Sequence, residues 1–252
     1  TYYSELNIEP IDLEVEFIDD LYKRRLELAI DENDKNNVKK NKQFISMLNG
    51  TLVLPATAYE KPHILISNNA VDDDALFVGT IIHELTHIHD YYDFAKHNGI
   101  EDLKAIQGMP NFSGLYFWSE FHARRTGYYF YRKIYKSFVN DSLSTEDEIK
   151  HIKKTECPFQ FDYLKNELSK NENNPTQFLY SIMQFLGRYS VWQDLFPEVF
   201  NKGTLPGELV ASFDNRITDI YDFLYNNSTF DDIKDKLNEL KTKLDLFVSL
   251  VE

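Results

Sequence analysis

Apolar and polar positions along this chain follow two rhythms, and the first of them is helical. Between Ile11 and Ala29 the apolar residues Leu13, Val15, Ile18, Leu21, Tyr22, Leu26 and Ala29 recur mostly at steps of three and four. That spacing predicts an amphipathic helix. The polar tract Asp31–Lys42 behind it reads as a solvated loop. Next, Gln43–Tyr59 holds two β-rich runs on either side of Asn49-Gly50. This dipeptide is one that a tight type I′ hairpin turn prefers. Lys61–Ser67, with the sequence KPHILIS, reads as a further short strand, so three strands form a small antiparallel sheet.

Helical rhythm takes over after Ser67. The tract Ser67–Asp74 (SNNAVDDD) is a loop that becomes a helix start. Asp72 is the expected N-cap, with Asp73 and Asp74 at the positive end of the helix dipole. This helix should run through Phe94–Lys96 and stop near Asn98-Gly99. Beyond a loop with Gly108 and Pro110, Ser113–Phe138 predicts a second long helix, rich in aromatic residues. Further helical segments are Thr145–Lys170, Thr176–Phe196, Gly207–Tyr225 and Thr229–Val251. In the last, Ile233, Leu237, Leu240, Leu244, Phe247 and Val251 alternate at steps of four and three. A seam of that kind pairs with another helix, and packing within its own chain is the expectation. The predicted fold class is α+β: a small antiparallel sheet, two long helices, then a mostly helical C-terminal region. The expected organisation is a core at 1–140 with a helical region at 141–252 packed on it.

The first long helix carries candidate chemistry. His83-Glu84-Leu85-Thr86-His87 is an HExxH string at mid-helix. Residues four apart lie about 40° apart around a helix, so both imidazoles can reach one ion at about 2 Å. Glu84, at the edge of that face, is placed to deprotonate a metal-activated water and not to ligate. Gly79 and Thr80 precede His83 on its own face and leave room there. The bland alternative is a helix with two surface histidines and a salt-bridging glutamate.

A catalytic zinc usually has three protein ligands and an open position. Two residues compete for the third place. Asp93 follows His87 by six, the spacing of a third ligand in HExxHxxGxxH proteins. However, Asp90 stands where that pattern has glycine, and on an unbroken helix Asp93 lies about 120° away from His87. Glu120 lies 33 residues after His87 on the second long helix. Tyr116, Phe117, Ala123 and Gly127 share its face, and the two small residues allow another helix to come close. An acid among Phe117, Trp118 and Phe121 is also an awkward solvated residue. Glu120 is therefore the favoured third ligand, and Asp93 the alternative.

Strands, an HExxH helix and a glutamate-bearing second helix resemble the minimal core of gluzincin metallopeptidases. The closest resemblance is to the ImmA/IrrE-type enzymes, whose E-x-x-A string is matched by Glu120-Phe121-His122-Ala123. The similarity covers roughly 49–135. It implies a zinc ion on His83, His87 and Glu120, hydrolysis of a peptide or protein substrate with Glu84 as general base, and a regulatory protease. One position departs: gluzincins often carry Asp or Asn four residues after the glutamate ligand, to orient a histidine, and here Arg124 stands there. A guanidinium accepts no hydrogen bond, so Asp90 or a backbone carbonyl must do that work. Tyr116, Tyr128 and Arg124 are open candidates for stabilising the oxyanion. The KPHILIS strand is a candidate for binding an extended peptide by strand addition. Substrate choice should lie in the helices after Ser144. A zinc-bearing but catalytically silent interaction or toxin-like protein is the alternative from another class.

Composition narrows the partners. With 41 acidic and 27 basic residues the net charge is −14. Such a surface repels phosphate backbones, so no nucleic-acid partner is expected. No apolar run reaches the ~18–20 residues of a membrane span. The single cysteine, Cys157, allows no intramolecular disulfide and fits a reducing compartment. A cytoplasmic address is the expectation, with export left open because the chain starts at Thr1. The sequence leaves the oligomeric state unassigned.

Overall fold

The structure, a computed structural model, describes residues 2–6, 8–139, 144–170 and 174–249. Its elements in order are α1 (Tyr2–Leu6), β1 (Glu14–Ile18), α2 (Leu21–Glu27), α3 (Glu32–Lys40), α4 (Lys42–Ile45), β2 (Gly50–Val53), β3 (His63–Ser67), α5 (Asn68–Val71) and α6 (Asp74–Asn98). A 3-10 turn (Leu103–Gly108) leads to α7 (Phe112–Val139). Then come α8 (Thr145–His151), a π-helical stretch (Ile152–Glu156), α9 (Cys157–Lys170), α10 (Pro175–Leu195), α11 (Gly207–Asn226), α12 (Phe230–Ile233) and α13 (Leu237–Val248). The fold is α+β, as expected. The expected boundary at 140 falls on residues outside those described.

The sheet corrects several expectations. It is mixed, not antiparallel: the order is β1-β3-β2, with β1 parallel and β2 antiparallel to β3. The segment 11–29 is not one helix. Glu14–Ile18 alternates with period two and pairs with β3, and only then does Asp20 cap α2 by accepting from the Lys23 backbone N–H at 2.9 Å. The tract 31–42 is not a loop but mostly α3, capped by Asp31, which accepts from Asp34 N–H at 2.8 Å. Only Val38 of α3 is buried, so the helix has almost no apolar rhythm to betray it. Nor does Asn49-Gly50 turn a hairpin. A type I′ turn needs positive φ at both central residues, and Gly50 has none. The run before it is helical, and Gly50 begins β2. It is small because Thr80 of α6 comes close: a Cβ there would meet Thr80 Cγ2 at 2.7 Å.

β3 is the central strand and is buried on both sides. Ile64 and Ile66 pack with Ile82, Leu85 and Ile88 of α6, while Leu65 packs with Leu21 and Val53. α6 ends as expected, at Gly99 with φ 64°, though its cap is Asp73 and not Asp72. α5 occupies part of the tract read as loop. α7 is flanked by α6 on one side and α10 on another, and α13 lies along it as well. The large aromatic core runs from Phe94 through Trp118, Phe121 and Trp192 to Phe247. The seam residues Ile233, Leu237, Leu240, Leu244 and Phe247 are buried in it, as expected, although the helix breaks at 234–236; Val251 lies outside the described residues. Both tryptophan N–H groups buried in this core are satisfied: Trp118 Nε1 donates to the Asn227 carbonyl at 2.8 Å, and Trp192 Nε1 donates to Tyr128 Oη at 2.9 Å. Among the described residues no helix is long and apolar enough to cross a membrane.

Candidate metal centre

Small residues let α6 and α7 come close. A methyl group on Gly127 would lie 2.6 Å from the Gly79 carbonyl oxygen and 3.1 Å from Cβ of His83. Ala123, one turn earlier, is fully buried. One further turn back, Glu120 faces the two histidines. His83 Nε2 and His87 Nε2 are 3.1 Å apart. Glu120 Oε2 lies 4.0 Å from the first and 3.7 Å from the second.

The donor set fits a divalent ion. Tetrahedral bonds of about 2.0–2.2 Å place neighbouring donor atoms roughly 3.3–3.6 Å apart. The three separations here bracket that spacing, and together the atoms could hold a metal. All three residues are buried. The hydrogen bonds also select the ligating tautomer of His87. Ser119 Oγ donates to Asp90 Oδ2 at 2.7 Å, so it can only accept from His87 Nδ1–H, which lies 2.7 Å away. The Nε2 lone pair is left facing His83 and Glu120. Asp90 is fixed from its other oxygen by His122 Nδ1 at 2.9 Å, whose ring stacks on Trp118.

Electrostatics keep the histidines neutral. Burial lowers the pKa of His87 to about 3, with His122 and Arg124 adding to the effect. Burial also lowers His83 well below its usual value, helped by His87 and Arg124. The carboxyls move the other way. Burial raises Glu120 to about 8 and Glu84 adds to that, while Arg124 and hydrogen bonds from Tyr116 and Gln184 oppose it. Burial raises Glu84 to about 7, opposed by Arg124 and a backbone hydrogen bond from Leu52. Two neutral imidazoles and two buried carboxyls, which Arg124 offsets only in part, form a site that a cation completes.

The structure thus brings His83, His87 and Glu120 together, with Glu84 beside them lining the same clefts. Asp93 stays exposed and outside the cluster. Asp90 acts on His87 through Ser119, a residue sequence reasoning passed over. The signal was available: Ser119 is the other polar residue in the run Tyr116–Phe121. Gln184, which donates to Glu120 Oε2 at 2.9 Å, comes from α10 and had no local signal. Arg124, at the position of the expected acid, donates to the Gln184 carbonyl oxygen instead. A second group, Glu14, Glu16 and His63, also has ligand atoms within reach of one another. It is exposed to partly buried, and Glu16 is already bound by Arg24 at 2.7 and 2.9 Å.

Two clefts of about 300 and 510 Å³ meet at His83 and Glu84. The smaller is lined by β2, Tyr91, Tyr116 and Glu120, the larger by Arg124, Gln184 and Arg188. Tyr180 lines both. Compared with known protein families, curated proteins and solved structures, the chain finds no match.

Proposed function

We propose that this protein is a zinc-dependent metallopeptidase of the gluzincin type, with His83, His87 and Glu120 as ligands and Glu84 as general base. The observation that carries the reading is the convergence of the three donor atoms within 3.1 to 4.0 Å, with the proton of His87 held on the far side of its ring. Bound zinc supplies Lewis acidity to the scissile carbonyl and acidifies the attacking water. Glu84 takes the proton of that water and passes it to the leaving amine. Burial, which raises the pKa of this carboxyl to about 7 in the metal-free fold, favours its taking up a proton.

Other groups serve positioning. Tyr180 lines both clefts, and its hydroxyl makes no hydrogen bond among the described residues. Burial and Glu120 raise its pKa, so it keeps its proton and can donate to a developing oxyanion. Tyr128 is a poor candidate for that role, since its hydroxyl already donates to Glu156 and accepts from Trp192. β3 cannot bind a peptide by strand addition, because both its edges are paired. β2 pairs on one side only and lines the smaller cleft through Gly50, Thr51 and Leu52. It is the edge on which an extended substrate can lie.

Glu84→Gln tests the reading. The variant should keep one zinc per chain, measured by elemental analysis. It should lose about 10²- to 10⁴-fold in peptide hydrolysis. Full zinc content with no hydrolysis in either form would favour a silent zinc-binding interaction protein instead.

A further inference from the structure

Arg124 and Arg188 stand together in the larger cleft beside His83 and Glu84. Arg124 lies one turn beyond Glu120 on α7, and Arg188 one turn beyond Gln184 on α10. The helices meet at Gly187, where a Cβ would lie 2.7 Å from the Phe121 carbonyl oxygen and 2.9 Å from Cβ of Arg124. That closeness sets the two guanidiniums in one cleft.

Neither arginine forms an ion pair among the described residues. Arg124 donates to the amide oxygen of Gln184 and Arg188 to the amide oxygen of Gln160, both uncharged. Arg188 also lies over the Tyr128 ring, 5.3 Å from its centroid. The other acids of this cleft are already engaged. Glu156 is held by Arg132 at 3.1 Å and by Tyr128, and Glu167 is held by Lys170 at 2.8 Å. Burial, with Arg124 nearby, lowers the pKa of Arg188 to about 10. Glu84 and Glu120 act on Arg124, and Glu156 on Arg188, only through space. In a chain of net charge −14, two neighbouring cations with no carboxylate in direct contact among the described residues form a site prepared for an anion.

We propose that Arg124 and Arg188 form a carboxylate-recognising subsite that selects peptides with an acidic side chain or a free C-terminal carboxylate close to the scissile bond. This rests on the peptidase reading above. Guanidinium forks match a carboxylate in plane and in spacing. Met47, Phe159 and Tyr163, largely exposed on the outer wall of the cleft, offer apolar surface to the stem of such a residue. Arg124 also holds Gln184 and through it Glu120, so Arg188 is the cleaner residue to change.

The test pairs peptides that differ only in Glu against Gln, or in a C-terminal acid against its amide, on zinc-loaded protein. Wild type should cleave the acid-bearing member of at least one pair about tenfold faster in kcat/KM, and the responding pair identifies the carboxylate source. Arg188→Gln should lose about ten- to a hundredfold on that member and little on its neutral twin, while Arg188→Lys recovers part. Equal loss on both members marks a structural role and overturns the proposal. A second arm titrates glutarate and glutaramide into the Glu84→Gln protein by calorimetry. Glutarate should bind, and adding Arg188→Gln should weaken it at least tenfold. Glutarate bound equally with and without Arg188 is held elsewhere, and overturns the subsite. If glutarate binding depends on Arg188 but no peptide is cleaved, the subsite stands and the peptidase reading fails.

Discussion

Ser119 decides which nitrogen of His87 carries the proton, because its own proton is committed to Asp90. Ser119→Ala should therefore weaken zinc affinity about 10- to 100-fold, read by competition with a chelator of known affinity. It should also destabilise the protein by about 1–3 kcal/mol, since Asp90 stays buried with one donor fewer. Unchanged zinc affinity would sink the tautomer argument. At this scale much of the candidate site was legible. His83, Glu84 and His87 form one local string, and Glu120 stood out as an acid among aromatics. Ser119 was visible as a polar residue in the same run, but its role, like that of Gln184, was not, because these depend on hydrogen bonds to residues 32 and 64 positions away.

At the scale of elements, Gly127 and Gly99 separate two uses of the same residue. Gly127→Ala forces a methyl against the Gly79 carbonyl and the His83 side chain, so α6 and α7 must part. The expected cost is about 1–3 kcal/mol in denaturant unfolding, together with loss of zinc affinity. Gly99 has open space around its missing Cβ but a φ of 64°. Gly99→Ala should cost about 1 kcal/mol through the backbone alone and leave zinc affinity unchanged. Equal zinc affinity in both variants would show that helix spacing does not govern the site. The elements that sequence identified were those with a long apolar period and clear ends, such as α6, α7 and α10. It missed β1 and α3. β1 is five residues long and leaves Val15 and Phe17 exposed, so its apolar side chains do not mark its buried face. α3 owes its existence to the Asp31 cap and to an ion pair between Arg25 and Asp34, neither of which is periodic.

For the whole molecule, the site links stability to pH in two opposed directions. Glu84 and Glu120 have pKa values raised to about 7 and 8 in the fold, from 4.5. The folded state then holds more protons than the unfolded one between those values, so stability falls as pH rises from about 4.5 towards 8. The histidines are depressed from 6.5, His87 to about 3, so their effect is a loss of stability as pH falls below about 6.5. Metal-free protein should therefore be most stable at mildly acidic pH. On the proposed reading zinc would compete with the proton on Glu120, so at fixed free zinc its stabilisation should grow between pH 6 and 8. A free concentration a thousandfold above Kd gives about 4 kcal/mol, or roughly 8–16 °C in a chain of this size. Thermal scans with and without zinc at both pH values read this, and a smaller zinc shift at pH 8 than at pH 6 would contradict it.

The bond from Gln184 to Glu120 spans 64 residues and joins α10 to α7. During synthesis at about 5–20 residues per second, the glutamate leaves the ribosome roughly 3–13 s before the glutamine that steadies it. Through that interval His83, Glu84, His87 and Glu120 are all present on the nascent chain, while the helix that completes their surroundings is still being made. Assembly of this cluster thus has a fixed order in time: its four side chains come first, and the bond that steadies Glu120 waits for α10.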